Sequence, residues 1–334
     1  MSRDNWRLVA LIVAALGILA GAILVAGASP GMAVSTLLKG SLGTPGAIAR
    51  TLRETTPLLI AGLAVFLALR AGLFNIGVEG QLLVGACACA AVAVKVSGVP
   101  GILLGTLAAM AAGALWALPA GLIRAYRNGH EVITTIMLNN VANLLTSALV
   151  AGVLRAPGQE SPTTAEISKS TRLPDLYSHP PFALNSGLVV GIVLSVALAL
   201  WLRRTVAGYE LQAVGANARA ARFAGVRPER VMVRAMLASG AIAGLGGAIQ
   251  VLAYEGRFYS GFSPGYGFDG LGIALLAGSS AYGVIPASFL FGILAQGSVA
   301  LGIAHIPKGI TTVVLGLIIL VAAAIRYRKV KTVA

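Results

Sequence analysis

The residues able to do chemistry in this chain are amides and a few carboxylates set in long apolar runs. The first set is Asn75, Glu79 and Gln81, within FNIGVEGQ at residues 74–81. The second is Asn139, Asn140 and Asn143, at the end of EVITTIMLNN and just beyond it. A polar group at membrane depth is costly, so such residues mark either packing contacts or a path for a polar solute. Amides donate and accept hydrogen bonds without carrying charge, which suits a polar, uncharged solute. Two readings stand for the first set. Asn75 caps a helix start with Glu79 at its positive end, or Asn75, Glu79 and Gln81 line a translocation path. In the second region Asn128 and Glu131 have capping-box spacing. Asn139 and Asn143 are four apart and share one helix face, where they bond a neighbouring helix or face a solute. A third cluster, from Tyr254 through Tyr259, Phe262 and Tyr266 to Asp269, is dense in aromatics. It reads as a membrane-interface belt, or as a surface that stacks a flat ring or receives a delivery protein.

Enzymatic patterns are missing. There is no GxxxxGK[ST], so the chain has no P-loop of its own, and there is no HExxH, no GxSxG and no convincing Ser/His/Asp set. A GxGxxG match at Gly265–Gly270 follows no strand-like run and is set aside. Cys87 and Cys89, two apart, point to nearly opposite faces of a helix and cannot pair with each other. With three scattered histidines they form no metal cluster. No cofactor and no metal is expected.

These residues need elements to hold them, and composition says which. Apolar residues make up 57% and charged ones 11%, too few charges to cover a soluble surface. The expected fold is an all-α polytopic membrane protein of about ten helices, some short or broken. The expected spans are Leu8–Ala28, Pro57–Leu69, the FNIGVEGQ segment to Val94, Gly101–Ile123, Val132–Leu154, Leu184–Leu202 and Val231–Ala253. A glycine-rich stretch, Leu271–Leu301, broken near Tyr282–Pro286, reads as two short spans, and Ile310–Ile325 is the last. The first run is too long for a signal-peptide core and reads as an uncleaved span. Gly240, Gly244 and Gly247 form a stripe suited to helix packing. The basic residues place both termini in the cytoplasm. On that reading 1–334 is one transmembrane domain, with a cytoplasmic loop over 203–230 and an extracytoplasmic loop over 155–183.

The cytoplasmic segment is RRTVAGYELQAVGANARAARFAGVRPERVMVR, Arg203 to Arg234. Leu211, Val214, Ala218 and Ala221 fall on one helical stripe, with Asn217, Arg219 and Arg222 elsewhere. Such a helix suits docking into a groove on a cytoplasmic partner, with Gly215, Ala218 and Ala221 as the contact face. The plainer reading is a basic loop that sets orientation only. Tyr209 and Phe223 are its only aromatics, so the charge is read as contact with lipid headgroups, not nucleic acid.

GLFNIGVEGQ (72–81), EVITTIMLNN (131–140) and LQAVGANARAARFAGV (211–226) together resemble the permease subunit of bacterial nucleoside-type ABC importers. That group lies within the larger ribose/branched-chain amino acid permease family. The resemblance runs from about Thr56 to the final span. It departs from the wider importer signature at Glu210, which is followed by Leu-Gln-Ala where Ala-Ala is common. It implies a half-transporter in the bacterial inner membrane, working with a second permease as a heterodimer, an ATPase and an extracytoplasmic solute-binding protein. It also implies a coupling helix over Ala213–Ala224, with Val214, Gly215, Asn217, Ala218, Ala221 and Arg222 on it, and a nucleoside as solute. A simple sugar or another heterocycle is the alternative. An ion-coupled transporter working alone would need buried carboxylates, for which Glu79 is the one credible candidate.

Overall fold

A computed structural model describes residues 29–179, 182–306 and 309–317, with isolated positions between 17 and 27. The expected span over 8–28 and the part of the last span beyond 317 lie outside the described residues. Helix starts follow the sequence closely. Ser29 and Pro30 open α1 (Pro30–Leu42), and Thr44 and Pro45 open α2 (Pro45–Arg70). In each, the hydroxyl accepts an N–H of the first turn and proline fills a position that needs no donor. Then come α3 (Val78–Ala93), α4 (Gly98–Arg127) and α5 (Glu131–Ala151). Asn128 adopts the left-handed conformation, φ 50°, and closes α4. The capping box expected at Asn128–Glu131 is therefore not formed, because Asn128 serves the preceding helix.

An antiparallel hairpin, β1 (Asp175–His179) and β2 (Phe182–Asn185), leads into α6 (Gly187–Arg204). Two short helices follow, α7 (Val206–Ala216) and α8 (Ala218–Phe223). The long α9 (Pro228–Ile249) continues as a π-helical turn to Glu255. The chain ends its described course in α10 (Tyr266–Ala277), a 3-10 turn and α11 (Val284–Ile303), with further helix over 309–317.

Six helices among the described residues are long and apolar enough to cross a membrane: α2, α4, α5, α6, α9 with its extension, and α11 with its 3-10 turn. The chain is an all-α polytopic membrane protein. Two expectations change. The span expected at Pro57–Leu69 begins at Pro45. Arg50, Arg53 and Glu54 lower the hydropathy of its first half, yet Arg53 pairs with Glu255 and Glu54 accepts from the Tyr266 hydroxyl. The stretch over 271–301 holds not two short spans but one half-length helix and one full-length helix. The chain breaks at Gly278–Gly283, and Pro286 sits in the first turn of α11, where its missing N–H is harmless.

Helix α9 is the hub, packed against α2, α3 and α4. Its glycine stripe is a packing stripe. A side chain at Gly244 would meet the Ala109 carbonyl, and one at Gly240 the Gly113 carbonyl and the Ala117 methyl. One at Gly247 would meet the backbone of Leu82 and Ala86. Rigid backbone cannot retreat as a flexible side chain can. Gly244→Val is therefore expected to destabilise the protein by about 1–3 kcal/mol through overpacking. The readout is the fraction staying monodisperse after heating in detergent; an unchanged midpoint would contradict the packing role.

Segment 163–173 is sewn to the end of α9. The Thr164 N–H donates to Phe258 O (2.9 Å), Ile167 to Gly256 O (2.8 Å) and Leu173 to Leu252 O (2.9 Å). Helix α9 starts beside α8 and ends at this segment; α6 starts after the hairpin and ends at α7. The basic segment and the 155–185 region thus sit at opposite ends of the bundle.

Candidate functional site

The linker Ala71–Gly77 between α2 and α3 begins with a cap at Ala71 and a left-handed Gly72, φ 74°. Within it Asn75 is fully buried. Its amide nitrogen donates to Gln81 Oε1 (2.9 Å) and Ser239 Oγ (2.8 Å). Its oxygen accepts from the Gly77 N–H (3.0 Å) and Gln81 Nε2 (3.1 Å). Ser239 in turn donates to Ala64 O on α2. Asn75 and Gln81 therefore spend their hydrogen-bonding capacity on the protein itself, tying α2, α3 and α9 together. Asn139 does the same between α5 and α3: its oxygen accepts the Gly80 N–H and its nitrogen donates to Ile76 O, both at 2.9 Å. These bonds satisfy irregular backbone inside the bundle, where water cannot.

Glu79 lies in the first turn of α3 and is buried. Its Oε2 accepts the Gly267 N–H at 2.7 Å, in the first turn of α10. One carboxylate thus faces the positive ends of two short helices, a favourable place for negative charge. The Ser263 hydroxyl accepts the Gly265 and Tyr266 N–H groups (3.2 and 3.3 Å) at the same helix start. Asn140 and Asn143 are exposed on α5, away from the Asn139 bonds. One turn further, Ser147 meets Ser260 at 3.1 Å. Asn140, Asn143 and Ser147 follow one another at helical spacing along α5, and with Ser260 of the irregular segment 256–265 they make a polar seam on the surface of the bundle. Ser260 belongs to the third cluster, whereas Ser147 lies outside the expected sets, although it continues the Asn140–Asn143 spacing along the helix.

The aromatic cluster differs from expectation. Phe258 and Phe262 are buried and stacked, centroids 4.8 Å apart, and Tyr266 is buried against Glu54. Their rings fill the bundle's interior, leaving Tyr259 partly open and Phe268 exposed for contact with anything outside. Tyr259 donates to Glu255 Oε2 at 3.4 Å, and partial burial beside that carboxylate raises its pKa. Cys87 and Cys89 are free and buried among apolar neighbours. No His/Cys/Asp/Glu group able to hold a metal is found among the described residues.

At the other end of the bundle Asn217 breaks the basic segment into two helices. Its side chain accepts the Arg219 and Ala220 N–H groups (3.0 and 3.1 Å) and caps α8. The stripe faces inward, which corrects the expected contact face. Leu211, Val214 and Ala221 are buried in the main core, Ala218 is half-buried, and a Cβ on Gly215 would collide with the Arg70 carbonyl. The outward side carries Arg219, Ala220, Arg222 (paired with Glu229) and Phe223, which is 93% exposed.

Comparison with known proteins bears on this arrangement. A family model described as "Branched-chain amino acid transport system / permease component" matches residues 47–323. The chain is 38% identical over 332 residues, 97% of its length, to the guanosine ABC transporter permease protein of Bacillus subtilis, covering 95% of that protein. It is 37% identical over 321 residues to the glucose ABC transporter permease protein of Haloferax volcanii, with 92% and 84% covered. To the nucleoside ABC transporter permease protein of Lactococcus lactis it is 32% identical over 325 residues, with 93% and 89% covered.

Proposed function

Since this chain belongs to the branched-chain amino acid transport system permease family, we propose that it carries a nucleoside across the bacterial inner membrane along the seam on α5. As a permease component it is a multi-pass membrane protein and a transport subunit, not an enzyme. Permeases of this family work with an ATPase and a substrate-binding protein. The observation that carries the proposal is the exposed pair Asn140 and Asn143 with Ser147 and Ser260. Neutral polar groups on the flank of an apolar bundle are costly against lipid. A second permease subunit placed over them would close a polar path whose groups match a nucleoside's hydroxyls and ring nitrogens. Asn75, Gln81 and Asn139 position this wall, and Glu79 fixes the start of α10 against α3. In the complete assembly we place ten spans with both termini in the cytoplasm, the 155–183 segment outside, and the α7–α8 segment docked on the ATPase.

Two measurements test this reading. In proteoliposomes holding the permease pair, the ATPase and the solute-binding protein, ATP-dependent uptake of labelled guanosine is expected, with competition by other nucleosides and none by glucose. The similarity to a glucose permease makes a sugar the second reading; glucose uptake that nucleosides leave untouched would establish it and remove the first. For orientation, cysteines placed at Ser168 and at Ala220, both exposed and at opposite ends of the bundle, are expected to react from opposite faces of intact cells. Labelling of both by an impermeant reagent would sink the topology.

A further inference from the structure

We infer that the Arg70–Gly77 stretch is a mechanical relay: it passes movement of the α7–α8 segment to the polar seam. The inference rests on the proposed docking of that segment on the ATPase. At the near end the contact is backbone on backbone. Gly215 lies against Arg70 and Ala71, and a Cβ on Gly72 would come within 3.2 Å of the Gly215 Cα. Close-packed backbone has little slack, so displacement of α7 pushes this corner directly. Gln212 bolts it from the side. Its Oε1 accepts from Arg70 Nη2 at 2.6 Å, and its Nε2 donates to Leu202 O (2.8 Å) and Gly208 O (3.1 Å).

Midway, the Phe74 N–H donates to Glu131 Oε1 (3.4 Å), while Glu131 Oε2 pairs with Arg124 at 3.2 Å. That pair anchors the linker to the turn between α4 and α5. At the far end Ile76 O accepts from Asn139, which is bound to Gly80 in turn. Asn139 adjoins Asn140 and lies one turn before Asn143, and Glu79, in the first turn of α3 just beyond the stretch, holds the start of α10. Held by backbone packing at one end and by hydrogen bonds midway and at the other, this non-helical segment can turn between its rigid neighbours without either helix breaking, so movement at one end reaches the other. Gln212 and Arg70 act here as positioning residues, touching neither solute nor nucleotide.

The test uses the full complex in proteoliposomes. Gln212→Leu removes both bridges of the side chain. The ATPase is expected to co-purify and to hydrolyse ATP, while solute moved per ATP falls about tenfold. Gln212→Glu keeps the acceptor facing Arg70 but loses the donor to Leu202 O and Gly208 O, and is expected to recover only part of the ratio. A second readout is independent of uptake. In a C87A/C89A background, Asn143→Cys serves as a labelling reporter only. Its rate of reaction with a thiol reagent is expected to change between nucleotide-free and ATP-trapped states, and Gln212→Leu is expected to abolish that change. A normal solute-to-ATP ratio with nucleotide-sensitive labelling overturns the relay. Loss of the ATPase from the Gln212→Leu complex also overturns it, because the contact is then a docking determinant. The docking reading is judged separately, by whether changes on the outward face of α8 release the ATPase.

Discussion

Phe223→Asp is expected to abolish ATP-driven uptake while leaving the protein inserted at normal levels. Phe223 is 93% exposed at the end of α8, among Arg219, Arg222, Arg227 and Arg230. An aromatic ring held in water contributes nothing to this chain's own stability, so its removal costs little in folding. At an interface such a ring is a typical anchor, and truncating one costs about 2–4 kcal/mol. That corresponds to a roughly 30- to 1,000-fold loss of docking. An aspartate there also lowers the positive charge that this face presents to a partner. The measurement is the ATPase recovered with the affinity-purified permease, alongside uptake. Gly215→Trp serves as contrast. Its damage is expected in folding yield, because the indole would have to occupy the space of the Arg70 and Ala71 backbone. Normal co-purification and uptake in Phe223→Asp would leave the basic segment with an orienting role only.

Glu79→Leu is the second large effect. The carboxylate is the acceptor for the Gly267 N–H, and leucine leaves that buried donor without a partner. An orphaned donor costs about 1–3 kcal/mol, a roughly 5- to 150-fold shift in any local equilibrium that needs the bond. The start of α10 is expected to loosen, and uptake to fall by about 5- to 150-fold. Glu79→Gln keeps an acceptor oxygen in place and is expected to retain uptake within a few-fold. The pair separates geometry from charge: equal loss in both variants would mean that the negative charge itself serves transport.

Much of this protein can be read from its residues. Low charge content and long apolar runs define a polytopic membrane protein, but hydropathy alone passes over α1 and starts α2 at Pro57, whereas the Ser29 and Thr44 caps set the true starts at Pro30 and Pro45. A break between α10 and α11 is legible too, although it falls at Gly278–Gly283, a few residues before the expected Tyr282–Pro286. The motifs at 72–81, 131–140 and 211–226 identify the family. The apolar character of the α7–α8 stripe is also legible, since Leu211 and Val214 on α7 and Ala221 on α8 are all buried in the same core, although Asn217 divides the single helix expected there into two. Which way that face turns is not, and the structure points it inward. The same holds along α5, where Asn139 is tied to Gly80 and Ile76 while Asn143, one turn away, is exposed. Phe258 and Phe262 read as an outer aromatic belt until their stacking inside the bundle is seen. The reason is physical. Periodicity fixes the relative directions of side chains on a helix, but in a membrane chain lipid is as apolar as the core. Hydrophobicity therefore cannot say which face meets protein. Only the packing of α9 against α2, α3 and α4, and the bonds that close around Asn75 and Asn139, decide which polar groups hold the fold and which remain open.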